Sequence, residues 1–212
     1  MTDFRFSVKK TDTLRNQVFK DIKRAIIHGK IKPGTRLREI DLSKEMGLSR
    51  GPIREAILLL ERDGLLVTQT HRETVVADVE DEEVTALLNP LRILLETYAL
   101  KKIYLQLTDE DYMRLGAILS ELEAGCEKNH LETVIEKDLQ FHEYLIHATK
   151  EPYLMAIWSG VSSRIIFHFM TNGRKHQEDN FTKLIEEHRS LLEAIQSRSW
   201  SDIEAELQRH IY

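Results

Sequence analysis

A glycine between two short amphipathic patterns, followed by two arginines one helical turn apart, is the feature that most restricts how this chain folds. Residues 38–66 read REIDLSKEMGLSRGPIREAILLLERDGLL. A helix from about Asp41 to Met46 is followed by a turn at Gly47. Ser49 caps the next helix, in which Pro52 is tolerated because the first turn needs no donor at its nitrogen. Leu42, Met46, Ile53, Ile57 and Leu60 point inward. At about 100° per residue, Ile53, Ala56 and Leu60 share one side of the second helix, Gly51, Arg54 and Leu58 lie opposite, and Arg50 sits at the edge. The two guanidinium groups therefore face away from the core, where arginine addresses guanine edges bidentately or clamps phosphate. A reader of the DNA major groove is laid out in this way.

The flanks extend the pattern. Thr11 or Thr13 caps a first helix in which Leu14, Val18, Ile22 and Ala25 or Ile26 recur until His28-Gly29. A turn around Pro33-Gly34 leads into a strand-like Arg36-Leu37-Arg38. Beyond Gly64, Leu65-Leu66-Val67 and Thr74-Val75-Val76-Ala77 form two strands joined by residues 68–73, a small hairpin with His71 and Arg72 at its tip, placed for a minor groove. Glu73 would be repelled by phosphate. Leu58 or Leu59, an exposed apolar pair, is expected to pack against a second domain or a partner subunit.

Charge divides the chain in two. Residues 1–78 hold 16 Lys+Arg against 11 Asp+Glu, whereas the remainder holds 14 against 24. Only the basic head suits a polyanion, so a DNA-binding domain over 1–78 and a separate domain over 79–212 are predicted. Cys126 is the single cysteine, and neither a signal peptide nor a membrane span is visible, which predicts a cytoplasmic protein with no membrane partner.

From Glu80 onward the periodicity is helical throughout, with helices predicted over 80–106, 108–127, 131–148, 151–171, 177–197 and from 200 to the end. Pro90 kinks the first of them or marks its true start. Six helices on short links make an antiparallel bundle. Asp138 and His142 share one helix face, and His188 and His210 fall on later helices. One carboxylate and three imidazoles make a competent site for Zn, Ni, Mn or Fe with open positions for water or a ligand. Each residue alone has a plainer explanation as a surface or packing group. His28, His130, His147, His168 and His176 are assigned to packing or surface.

The string LREIDLSKEMGLSRGPIREAILLLERDGLL closely resembles the winged helix-turn-helix of the GntR family of bacterial transcriptional regulators, over about residues 10 to 78. The resemblance implies DNA contacts from Arg38, Arg50 and Arg54, helped by Ser49, Gly51, His71 and Arg72. The glycines usual in the family's wing are replaced here by His71 and Glu73. The second half resembles the FCD domain, the helical effector domain of the FadR subfamily, in which an Asp-x3-His, a later His and a final His hold a metal. Asp138, His142, His188 and His210 match that order, and six helices suit the VanR-like subgroup. In Leu91-Arg92-x-x-Leu95-Glu96, Arg92 corresponds to an arginine that faces the effector's carboxylate; its plainer reading is a boundary arginine paired with Glu96. Arg164 is a second, weaker pocket candidate. His210 lies two residues from the end of the sequence, where fraying would loosen it.

The fold expected is thus mostly α, a winged helix-turn-helix with a small β-hairpin plus an all-helical bundle. The function expected is a ligand-responsive regulator, a repressor of a catabolic operon that senses a small organic acid as a homodimer on an inverted-repeat operator. A metal-dependent hydrolase is the competing class, although no carboxylate or histidine outside the ligand set is placed as a general base.

Overall fold

The computed structural model describes residues 13–69, 73–172 and 181–211. Thr13 caps the first helix, its hydroxyl accepting from the Asn16 amide, and α1 (Leu14–Ile27) buries Val18, Ile22 and Ile26; Thr11 lies outside the described residues. Helix α2 (Glu39–Met46) starts two residues ahead of the expected Asp41, directly after an extended Arg38. Gly47 then takes φ 66°, a left-handed turn that glycine enters without a Cβ clash. Helix α3 (Arg50–Arg62) follows, burying Ile53, Ala56, Ile57 and Leu60 against α1. Ser49 stands at its N-cap in extended conformation but makes no side-chain capping bond.

Strands β1 (Leu66–Gln69) and β2 (Glu73–Val76) pair antiparallel in the register Leu66 to Val76. The strand-like segment before α2 joins them: the Leu37 amide donates to Thr74 O and the Val76 amide to Thr35 O, both at 2.9 Å. The tip residues His71 and Arg72 lie outside the described residues.

The body is helical, as its periodicity predicts. Its first run is continuous but changes pitch ahead of the proline: α4 (Asp81–Glu83), a π-helical turn (Val84–Leu88) and α5 (Asn89–Ile103), with Pro90 in the first turn of α5. Proline has no N–H for the Ala86 carbonyl and its ring crowds that oxygen, which a turn widened by one residue accommodates. Then come α6 (Asp109–Glu127), opened by a Thr108–Asp111 capping box, and α7 (Leu131–Ala148), capped by His130. Helices α8 (Pro152–Asn172), α9 (Phe181–Ser197) and α10 (Trp200–Ile211) complete the described bundle. Helix α7 packs between α6, α5 and α8, and α9 packs on α6 and α10. Among the described residues no helix is long and apolar enough to cross a membrane.

Head and body share one hydrophobic core. A single buried cluster runs from Val18, Ile22 and Leu60 of the head to Trp158, Ile165 and Phe167 of α8. Polar contacts on α8 finish the joint. Ser159 donates to the buried Asp63 carboxylate at the end of α3 (3.2 Å), and Lys23 of α1 donates to Ser163 (2.7 Å). Arg164 donates to the Gly64 carbonyl, to Asp78 O and, through Nε and Nη2, to both oxygens of Glu83. His168, assigned from sequence to packing, is buried and bonds the linker at Val79 O (2.9 Å). The body thus grips the end of α3 through Asp63 and Gly64. Leu58 does not meet the body, its side chain being 57% exposed while Leu59 is half-buried, because the docking surface lies a full turn further along the helix.

Gly64 offers a test of this joint. Its φ is +71°, and a Cβ there would stand 2.8 Å from Arg164 Cδ, whereas Gly47 at φ +66° faces open space. Gly47→Ala is expected to cost only the left-handed strain, about 1 to 2 kcal/mol, and Gly64→Ala about 1 kcal/mol more, read by urea unfolding. In an Arg164→Ala background the excess at position 64 should disappear. Equal costs in both backgrounds would show that Arg164 does not press on Gly64.

Candidate nucleic-acid interface and candidate metal centre

The first face is on the head. Arg38, Ser49, Arg50, Gly51 and Arg54 are all exposed, and Arg38, Arg50 and Arg54 line an open depression of about 600 Å³ together with Arg36, Glu39 and Glu73. The turn at Gly47 brings the start of α3 over the start of α2, so the arginines of one meet Glu39 of the other. Arg50 Nη2 lies 2.8 Å and Arg54 Nε 2.9 Å from the Glu39 carboxylate. Hydrogen bonds from Arg54 and then Arg50 hold that carboxyl down at about 2. Glu73, expected to repel phosphate, is paired with Arg36 at 2.7 Å, which offsets its charge. A Cβ at Gly51 would meet nothing within 4 Å, so the backbone of the first turn of α3 is open to close approach.

The second face is inside the body. Asp138 and His142 come from α7, His188 from α9 and His210 from α10, and one donor atom from each lies within 4.8 Å of all the others. The ring contacts that bring them together are tight. His142 and His210 stack with centroids 4.8 Å apart, His188 meets His210 edge-on at 4.3 Å, and Phe141 packs against both His142 and His188.

Each ring is oriented by what its outer nitrogen meets. His142 Nδ1 lies 2.7 Å from Glu96 Oε2, and His188 Nδ1 lies 2.8 Å from the Leu184 carbonyl. Both acceptors require a proton on Nδ1, leaving Nε2 as the lone-pair nitrogen directed inward. His210 Nδ1 faces Glu187 at 4.0 Å, while its Nε2 lies 2.9 Å from His142 Nε2. His188 Nε2 points to Asp138 at 3.2 Å.

Charge in the centre is fixed by burial and by its partners. Burial lowers the His142 imidazole, with Arg92 adding to the effect, and burial together with the neighbouring His188 and His142 lowers His210 well below the usual value. Both are therefore neutral near pH 7 and offer lone pairs without losing a proton. Burial opposes ionisation of Asp138, but the contact with His188 and the positive charge of Arg92 outweigh it and hold the carboxyl well below the ordinary range.

These donors fit a divalent ion. Four ligands at roughly 2.0–2.1 Å from one tetrahedral ion stand about 3.3 Å apart; the His142–His210 and His188–Asp138 pairs stand at 2.9 and 3.2 Å, and the whole set lies within 4.8 Å. Two imidazole nitrogens facing each other at 2.9 Å, and a buried His188 Nε2 without a hydrogen-bond partner, are the pattern that a cation among them relieves. Nitrogen and oxygen donors of this kind suit Zn, Ni, Mn or Fe.

Arg92 is drawn into the same region. Its Nε donates to Glu96 Oε1 at 2.7 Å, both side chains are buried, and its Nη2 is buried without a partner. Asp138 and Glu96 are the acidic charges acting on it. Arg92 is thus the i,i+4 partner of Glu96 that its plainer reading expects, but buried inside the bundle rather than at its boundary. Arg164 is placed elsewhere: all the bonds described above commit it to the joint between head and body, so it corrects the expectation of a pocket residue. Glu96 is the residue that sequence reasoning undervalues. Spacing marks it only as a mate for Arg92, yet its other oxygen orients His142. The available signal is an acid set within LRILLETYAL, where a solvated residue does not belong.

Comparisons with known proteins match both halves of the chain. The model for "Bacterial regulatory proteins, gntR family" matches residues 14–76, and the model for the FCD domain matches residues 88–212. The chain is 28% identical over 195 residues to the uncharacterized HTH-type transcriptional regulator YdhC of Bacillus subtilis (strain 168), covering 92% of this chain and 86% of that one. It is 25% identical over 182 residues to the gluconate operon transcriptional repressor of the same organism, covering 84% and 74%. Among solved structures it is similar to Escherichia coli McbR/YncC, with a TM-score of 0.77, 25% identity and 94% and 93% of the two chains covered. A DNA-binding match over the head and an FCD match over more than half of the chain show that it belongs to the GntR family of bacterial transcriptional regulators, in the branch that carries an FCD domain.

Proposed function

We propose that this regulator senses a small carboxylic acid in its helical body and transmits the binding to its DNA-reading head, acting in the cytoplasm as a repressor of a catabolic operon. The observation that carries the reading is the meeting of a four-donor metal set with a buried, partly unpaired arginine. Asp138, His142, His188 and His210 would hold a divalent ion, which leaves coordination positions open to an acid's oxygens. Arg92, steadied by Glu96, supplies the positive charge for the rest of the carboxylate. The gluconate operon transcriptional repressors among its relatives support the sign of regulation and a catabolic operon as the target. Six long helices, α5 to α10, support placement in the VanR-like subgroup.

On the head, Arg38, Ser49, Arg50, Gly51 and Arg54 form the proposed DNA-reading set, with His71 and Arg72 assigned to the wing from sequence. Helix α7 carries Asp138 and His142 and packs on α8, and α8 holds the end of α3 through Ser159 and Arg164. An acid that favours one packing of α7 on α8 would therefore favour one placement of α3.

The chain is proposed to work as a homodimer on an inverted repeat. Leu87, Leu94 and Tyr98, each at least half exposed, recur at helical spacing, and Ile157 of α8 lines the same depression as Leu87. An apolar stripe of this size is left for a second copy to cover in a two-fold pairing.

Two outcomes are expected. Metal-replete protein screened by thermal shift against sugar acids, hydroxy acids and dicarboxylates should melt higher with one class by several degrees, since a ligand at 100 times its Kd adds about 2.7 kcal/mol. Chelation or His188→Ala should abolish that response while the protein stays folded by circular dichroism. No shift with any acid and no effect of chelation would end the sensor reading, and loss of folding in His188→Ala alone would make the metal purely structural. Independently, Leu94→Glu should convert a dimer to a monomer in sedimentation analysis without lowering helix content; an unchanged dimer would move the interface elsewhere.

A further inference from the structure

The side of the head that carries Arg50 and Arg54 also carries a carboxylate. Glu39, the first residue of α2, accepts from Arg50 Nε at 3.2 Å and Nη2 at 2.8 Å, and from Arg54 Nε at 2.9 Å and Nη2 at 3.1 Å. An anion on a surface built to meet a polyanion weakens binding through repulsion unless it does something in return. A first-turn acid favours the dipole of α2, but that effect needs no contact with α3.

The bonds themselves show what is gained. They engage the same edge of both guanidinium groups, the edge made by Nε and Nη2. What stays open on each arginine is the opposite end, both hydrogens of Nη1 and the outer hydrogen of Nη2. That end is a fork of two parallel donors, the shape that spans O6 and N7 of guanine. Arg50 and Arg54 are 55% and 59% exposed in their side chains, so without a tether each would sample many rotamers and lose that freedom on meeting DNA. Glu39 is itself fixed by α2 and by the turn at Gly47. Because both guanidinium groups hold its carboxyl far below neutrality, the tether is an anion across the physiological pH range.

The geometry points to Glu39 as a positioning residue for base recognition: it holds the Nε edge of Arg50 and of Arg54 and so aims their end-on forks at two guanines in each operator half-site. This rests on the reading of that face as the DNA-reading surface. Free of the tether, the same arginines would settle on phosphates, which carry no sequence information. Glu39 therefore trades total affinity for discrimination.

The test uses the full chain and a pool of randomised DNA duplexes. Wild-type protein should enrich an inverted repeat with two fixed G·C pairs in each half, and Arg50→Ala and Arg54→Ala should each release one of them. Glu39→Ala should tighten binding to the unselected pool at low salt, because one negative charge is gone. It should at the same time lower the ratio of selected to unselected affinity by roughly tenfold, within the range for one bidentate arginine–guanine pair. Glu39→Gln keeps a single carbonyl acceptor and should fall between the two, and it also decides the matter if the alanine variant fails to fold. Glu39 variants that raise affinity for selected and random duplexes alike, or that keep the wild-type ratio, would overturn the positioning role while leaving the DNA face intact. Failure of wild-type protein to enrich any sequence would overturn the DNA-reading face and this inference together.

Discussion

Glu96 has no exposure to solvent, and an unpaired carboxylate in that position would cost several kcal/mol, a large part of the margin by which a domain folds. Its two oxygens therefore have to be satisfied, and the body is arranged so that they are. Arg92, one turn earlier on α5, takes one oxygen, and His142 of α7 takes the other. The consequences spread outward from that requirement. Helices α5 and α7 are pinned at one level, the His142 ring is fixed with Nε2 inward, and one guanidinium nitrogen remains without a partner in the centre. Stability and ligand chemistry are thus set by the same three side chains.

The second constraint is that α8 serves as a wall for two different rooms. Trp158, Ile165 and Phe167 belong to the core that α8 shares with the head, while the same helix packs against α7, which bears Asp138 and His142. No flexible tether between independently tumbling domains fits this arrangement. The end of α3 is bonded to α8 by Asp63 and Gly64, so a movement of α8 has a short mechanical path to the arginines at the start of α3.

Much of this was legible in the residues. The order of elements in the head, the hairpin and the break points of the body helices follow from caps, glycines and apolar spacing, all of which act locally. The grouping of Asp138, His142, His188 and His210 was legible through the resemblance to the FCD domain, because spacing alone left each residue a plainer explanation. What was not legible depended on contacts between distant elements. Arg164 looks like a residue of an apolar helix interior until α8 is seen to lie along Gly64 and Glu83. Leu58 offers itself as a contact to the body, but the docking is found one turn beyond it. The second role of Glu96 required knowing that His142 faces it, and the role of Glu39 required the angle between α2 and α3. Periodicity reports which face of an element is apolar, not which neighbour that face meets.

The widened turn at Val84–Leu88 sets the phase of the whole body. A π turn is an α-helix that has accommodated one additional residue, and one residue corresponds to about 100° of rotation around a helix axis. Upstream of it Glu83 is locked to Arg164 at the joint, and downstream Arg92 and Glu96 turn into the bundle. The extra residue is what allows both sides to face their partners at once. The segment between them is therefore constrained in its count more strongly than in its composition: it behaves as a spacer whose length sets the angle between the gripping and the sensing ends of one continuous rod.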